Sequence, residues 1–178
     1  IVLWDNGKLG PALAHYEMRL EIVLAVEGPE GLGGAGGFMS MGNVHKDMRE
    51  PDRALELFGQ AAAICEAKDP DNAAVPYNNM AIVYRRQEDY GKSLEYHRKA
   101  LAIYERVHGP RHPITAQLHH NIGFVLGIQG NHAAELEAYG AGVERSRLGA
   151  RALSTHQRST RRGEATSNGG LQGRVAAS

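Results

Sequence analysis

Cysteine is almost missing from this 178-residue chain. Cys65 stands alone, so no internal disulfide framework can form, and a lone thiol fits a reducing, cytoplasmic setting. No apolar run reaches the roughly 18 residues that a membrane-spanning helix requires. Charge of one sign is lacking too. Twenty Lys and Arg balance twenty Asp and Glu, which leaves no electrostatic footprint for nucleic acid or an anionic membrane. Aromatic residues are sparse at 6%. A signal peptide is not evident, and a start at Ile1 reads as a fragment of something longer. What the chain has in excess is glycine, 22 residues, above the roughly 7% average. Its apolar share of 42% is enough for a globular core.

An internal repeat organises these residues. Tyr16, Phe58, His97 and Tyr139 follow one another at 42, 39 and 42 residues, and Ala12, Ala54, Ser93 and Glu135 keep the same steps. Around each anchor lies one apolar comb: Leu9, Leu13, Tyr16, Leu20, Val23; then Pro51, Leu55, Phe58, Ala62, Cys65. The third copy is Tyr90, Leu94, His97, Leu101, Tyr104, and the fourth is His132, Leu136, Tyr139, Val143. Alternating spacings of four and three mark one face of a helix, whereas a strand alternates with period two. A second helix precedes each comb, roughly Ala73 to Gln87 in the third copy and Pro113 to Gln129 in the fourth. Gly42, Ala81 and Gly123 share a register in these inner helices, where a missing side chain lets two helices approach closely. Ile1 to Trp4 read as the end of a truncated first inner helix. Pro51 and Pro113 suit first turns, Asp89 and Asn131 suit N-caps, and Asp69 to Asn72 suits a turn.

The pattern predicts an all-α chain, an α-solenoid of antiparallel helical hairpins. Its repeats fall at about 1–27, 34–67, 72–108 and 113–147 within a solenoid spanning 1–147. Residues 148–178 hold five Arg against one Glu and no aromatic, a composition that predicts a disordered basic tail.

The strings Asn78-Asn79-Met80-Ala81-Ile82-Val83-Tyr84 and His108-Gly109-Pro110-Arg111-His112-Pro113 carry a family likeness. The chain resembles tetratricopeptide-repeat proteins, and within them the long-period repeats of kinesin light chains and nephrocystin-type proteins. Departures from that pattern are His45, His97, His119 and His132 at aromatic or apolar places, and Glu135 and Gly142 where Ala is usual.

Three motifs suggest chemistry. Gly31-Leu32-Gly33-Gly34-Ala35-Gly36 is a formal G-x-G-x-x-G, the loop that lets a backbone approach a pyrophosphate in a dinucleotide fold. The apolar residues before it continue the helical comb, however, and Gly28 to Gly42 matches Gly109 to Gly123 at 14 residues. The run therefore reads as a turn and a loosened helix start. Nine histidines invite a metal, yet no H-E-x-x-H occurs and Cys65 has no partner at metal spacing, so no metal or cofactor is expected. Cys65 lies on the comb and reads as a buried structural thiol.

What remains is a surface. The resemblance places Asn43, Lys46, Asn78, Asn79, Ile82, Arg85, Arg86, His120, Asn121 and Phe124 on the concave face lined by inner helices. Asn both donates and accepts, so it can hold an extended backbone. The implied work is reversible peptide or protein binding without catalysis, as adaptor or scaffold, toward acidic peptides with an apolar anchor. Two alternatives are a nucleotide-dependent oxidoreductase built on Gly31 to Gly36 and a degenerate repeat fragment without a partner.

Overall fold

A computed structural model describes residues 9–28, 31–145 and 147–148. The segment expected to end a truncated inner helix, Ile1 to Trp4, lies outside the described residues. So does the expected tail, apart from Leu148, which is helical.

The described chain runs α1 (Leu9–Glu27), α2 (Leu32–Asp47), α3 (Pro51–Lys68), a 3-10 turn (Pro70–Ala73), α4 (Ala74–Arg86), α5 (Tyr90–His108) and α6 (Pro113–Ile128). A last helix, α7, covers 132–145. Among the described residues there is no strand. Each helix packs on its chain neighbour through a short turn, and α2 also touches α4, so the hairpins stack side by side.

Local chemistry sets the helix ends. Pro51 and Pro113 occupy first turns, where a missing N–H breaks no helical bond. Asp89 caps α5 by accepting the Lys92 N–H at 3.1 Å, and the Asn131 amide oxygen accepts Ala134 N–H at 3.3 Å. His112 does the same for α6, its Nδ1 accepting Ile114 N–H at 3.3 Å. The turns closing the last three hairpins share one geometry. Arg49, Glu88 and Gly130 all have left-handed φ, at 61°, 62° and 75°. After each, an N–H reaches back to a carbonyl of the inner helix: Glu50 to His45 at 2.9 Å, Asp89 to Tyr84 at 3.0 Å and Asn131 to Leu126 at 3.0 Å.

The cores form where the combs meet. Phe58 is fully buried with Ala54, Met80 and Val83, and Leu94 packs with Ile122, Val125, Leu126 and Ala138. Burial of one such side chain contributes about 1.5–3 kcal/mol. The small residues are the expected close approaches. A Cβ on Gly42 would lie 2.6 Å from the Phe58 ring, and one on Gly123 would lie 2.8 Å from that of Tyr139. In the third hairpin the smaller imidazole of His97 takes the ring's register, and Ala81 takes the glycine's. Both are buried. Glu135 fits because Gly127 opposite it is bare: a Cβ there would come within 2.6 Å of Oε1. Cys65 is buried, and desolvation pushes its thiol pKa up, so it is an unreactive core group.

Glycines 33, 34, 36 and 37 lie inside α2, whose N-cap is Gly31. Gly31 and Gly33 make room for Glu27, which would meet an added Cβ at 2.4 and 2.7 Å respectively. The Glu27 carboxylate accepts Gly33 N–H at 2.8 Å. It thus satisfies the start of α2, where a dinucleotide loop would hold a pyrophosphate.

Candidate functional site

The inner helices α2, α4 and α6 supply all ten residues singled out from the sequence. None of the ten is buried: His120, Phe124 and Arg86 are exposed, and Asn43, Lys46, Asn78, Asn79, Ile82, Arg85 and Asn121 are half-buried. They sit on one side because 3.6 residues per turn returns positions 79, 82 and 86 to one face.

Bridges between successive inner helices join them. Asn79 Nδ2 lies 3.5 Å from Asn43 Oδ1, and Asn121 Nδ2 lies 3.5 Å from Asn78 Oδ1. Asn43 Oδ1 also accepts from Lys46 Nζ at 2.9 Å, and Gln117 Nε2 donates to Asn121 Oδ1 at 3.1 Å. The amides are therefore partly engaged across the repeats, at lengths near the limit of a hydrogen bond. Ile82 is half-buried and Phe124 is 44% exposed, so each leaves apolar area on this face.

The cations of this face divide in two. Arg85 turns toward the fourth repeat, its Cζ 5.2 Å from the centre of the Phe124 ring. Arg86 turns toward the second, donating from Nη1 to the Lys46 carbonyl at 3.3 Å. There Lys46, Asp47, Arg49, Pro51, Val83, Arg86 and Gln87 line a cleft of about 620 Å³. Burial holds the Lys46 ammonium pKa below its ordinary value. Asp47 opposes that shift, and Arg86 adds to it.

Sequence reasoning missed Arg49 and Gln87, which line this cleft apart from the ten face residues, and Gln117 beside Asn121. Gln117 was reachable, since it stands four residues before Asn121 on the same helical face. Arg49 and Gln87 belong to inter-helix turns, whose orientation no helical period encodes. His108 and His112 stack on each other with ring centroids 4.7 Å apart, and the other described histidines lie apart from them. His45 Nδ1 contacts Glu50 Oε2 at 2.6 Å, and His132 pairs with Glu135 at 3.0 Å. His97 is fully buried, and His119 lies 3.5 Å from Glu105. Among the described residues no three metal-ligating side chains converge. No described helix is long and apolar enough to cross a membrane.

Two profiles described as tetratricopeptide repeat match the chain, at residues 38–68 and 72–147. The chain belongs to the tetratricopeptide-repeat family. Solved structures share its fold. One is BtubC (BKLC) from P. vanneervenii, at 24% identity and TM-score 0.69, covering 85% of this chain and 61% of that one. Another has the kinesin light chain nearly identical TPR-like repeats of Podosopora anserina, at 15% identity and TM-score 0.68, covering 99% and 92%. The N-terminal domain of stress-induced protein-1 from C. elegans aligns at 17% identity and TM-score 0.58, covering 65% and 87%. This chain spans under two thirds of the length of BtubC. No curated protein matches it in sequence. Repeats of this family are scaffolds for protein–protein interaction, and the fold is in general non-catalytic.

Proposed function

We propose that this chain is a non-catalytic, cytoplasmic adaptor or scaffold that holds an extended peptide along the inner-helix face. The carrying observation is the continuity of that face. Asparagine amides, the apolar side chains of Ile82 and Phe124, and the cations Lys46, Arg85 and Arg86 run unburied across three successive helices. Each amide in the 3.5 Å bridges has a second N–H or lone pair to offer a peptide backbone. The surrounding cations favour acidic residues around an apolar anchor, as the kinesin light chain resemblance implies. Glu27 at the start of α2 speaks against the dinucleotide alternative, because an entering pyrophosphate would have to displace a carboxylate.

The test is fluorescence anisotropy with acidic, aromatic-centred peptides. Binding is expected at about micromolar affinity and should weaken with salt. Asn79→Ala should reduce it by roughly 1–3 kcal/mol. Reversing the charge of Arg85 and Arg86 should reduce it further while far-UV circular dichroism stays unchanged. Binding that is absent, or indifferent to all three changes, would move the partner surface elsewhere.

A further inference from the structure

The cleft between the ends of α2 and α4 is charged in a way that the peptide groove does not require. Lys46, Arg49 and Arg86 converge on it, and Asp47 is the single anion in its lining. Five cations elsewhere have carboxylate partners: Arg53 with Glu56, Lys92 with Asp89, Lys99 with Glu95, Arg106 with Asp71, Arg145 with Glu105. Among the described residues none of the three cleft cations makes an ion pair. Lys46 spends its ammonium on the neutral Asn43 amide, and Arg86 spends one N–H on the Lys46 carbonyl. A cation near a helix C-terminus is favoured by the helix dipole. That explains one cation for each helix end, but not three facing one cavity. With one carboxylate among three cations the excess positive charge repels, and burial of Lys46 strengthens the repulsion by lowering the local dielectric.

We propose that this cleft receives a phosphate monoester on a bound peptide, the side chain of a phosphoserine or phosphothreonine. The assignment rests on the peptide-binding reading above and names a feature of the partner. Three cations against one carboxylate leave two positive charges, which match the charge of roughly −1.5 to −2 on a phosphate monoester near pH 7. A glutamate would neutralise only one. Arg49 and Arg86 supply planar forks for the phosphate oxygens, and Lys46 supplies a point charge. At the rim the Gln87 amide is engaged by Asp52, Nε2 donating to Oδ1 at 3.4 Å, and Asp52 stays outside the lining. At about 620 Å³ the cleft has room for the side chain as well as the phosphate, with Pro51 and Val83 as an apolar wall for its carbon atoms.

The experiment takes the full chain and one fluorescent, tryptophan-centred acidic peptide, with Ser, Glu or phosphoserine scanned along its length. At one or two neighbouring positions phosphoserine should bind about tenfold more tightly than Ser, and Glu no more than about threefold more tightly. Arg49→Gln should erase the phosphoserine gain while leaving the Ser peptide within about twofold, because Arg49 lies outside the groove set. The gain should also fade as pH drops through the second phosphate pKa of about 6. A second arm titrates phenyl phosphate while following the Nε–H signals of Arg49 and Arg86 by nitrogen-15 NMR. Peptide binding with equal affinity for all three forms, or with Glu as good as phosphoserine, overturns the phosphate assignment and leaves the groove standing. Phenyl phosphate shifts at Arg49 and Arg86 without any peptide binding would keep the cleft and overturn the groove. Neither response overturns both.

Discussion

The third and fourth hairpins are the same sequence pattern moved by 42 residues, yet they bury it differently. Leu94 and Leu136 hold one comb position, but Leu94 is 8% exposed and Leu136 is 71% exposed. Leu101 is half-buried, and its counterpart Val143 is exposed. The cause is the next helix. α6 closes over α5 through Ile122, Val125 and Leu126, whereas no described helix follows to close over α7. Amphipathicity is thus written within each helix, but burial belongs to the stack, as expected where each repeat touches only its neighbours.

The largest effect should come from breaking that pair of leucines. Leu94→Ala removes a buried side chain and should destabilise by about 2–4 kcal/mol, whereas Leu136→Ala should stay within about 0.5 kcal/mol. Urea unfolding followed by circular dichroism measures both. Equal losses would mean that the α7 face is covered in solution and that the two hairpins are alike after all.

Next in size is the ring position, where the third hairpin carries His97 and the fourth carries Tyr139. Burial, aided by the Arg85 charge, lowers the His97 pKa to about 4, and its Nδ1 finds no hydrogen-bond partner. The unfolded chain binds a proton near pH 6.5 while the native chain does not, so stability rises with pH across this window. The contribution is whole above about pH 6.5 and is lost as pH falls toward 4, up to roughly 3 kcal/mol. His97→Phe combined with Ala81→Gly rebuilds the Gly and ring pairing of the other hairpins and should flatten this dependence. Stabilities of parent and double variant at pH 7.0, 5.5 and 4.5 isolate the His97 share. Parallel curves would show that this imidazole does not titrate on unfolding.

Much of the fold was legible because it is periodic. The combs, the close approaches at Gly42 and Gly123 and the Asp89 cap all follow from the local pattern within one or two helices. The candidate site was legible only as a face. Asn43 reaches Asn79 rather than Ile82, its mate 39 residues on, because neighbouring inner helices are offset. Arg85 and Arg86, adjacent in sequence, depart to opposite repeats because one residue turns the helix by about 100°. Arg49 stayed hidden because its orientation depends on a left-handed turn, and a non-glycine residue gives no signal for one.

A smaller test adds volume where the fourth hairpin has none to spare. Gly123→Ala would place a Cβ 2.8 Å from two Tyr139 ring atoms and 3.3 Å from the Glu135 carbonyl oxygen. The ring can yield but the backbone yields less, so a loss of about 1–3 kcal/mol is expected. The third hairpin already carries Ala at this register, opposite the smaller imidazole. There Ala81→Gly should lose only the helix propensity of Ala, about 1 kcal/mol. Thermal unfolding of both variants decides the matter. A neutral Gly123→Ala would mean that hairpin four is packed more loosely than hairpin three.

The smallest effect lies in the turns. Asp89 N–H to the Tyr84 carbonyl and Asn131 N–H to the Leu126 carbonyl are both 3.0 Å, so the two hairpins close through the same bonds. They differ in the residue that takes the left-handed conformation, Glu88 at φ 62° and Gly130 at φ 75°. An L-residue there is disfavoured by roughly 1 kcal/mol or more, and glycine is not. Glycine also loses more freedom on folding, which offsets part of the difference. Glu88→Gly should therefore gain about 0.5 kcal/mol, and Gly130→Ala should lose about 1 kcal/mol, both read as shifts of the urea midpoint at constant slope. The signs must be opposite if one turn geometry serves both hairpins. A loss from Glu88→Gly would mean that the glutamate side chain contributes more than its backbone strain takes away.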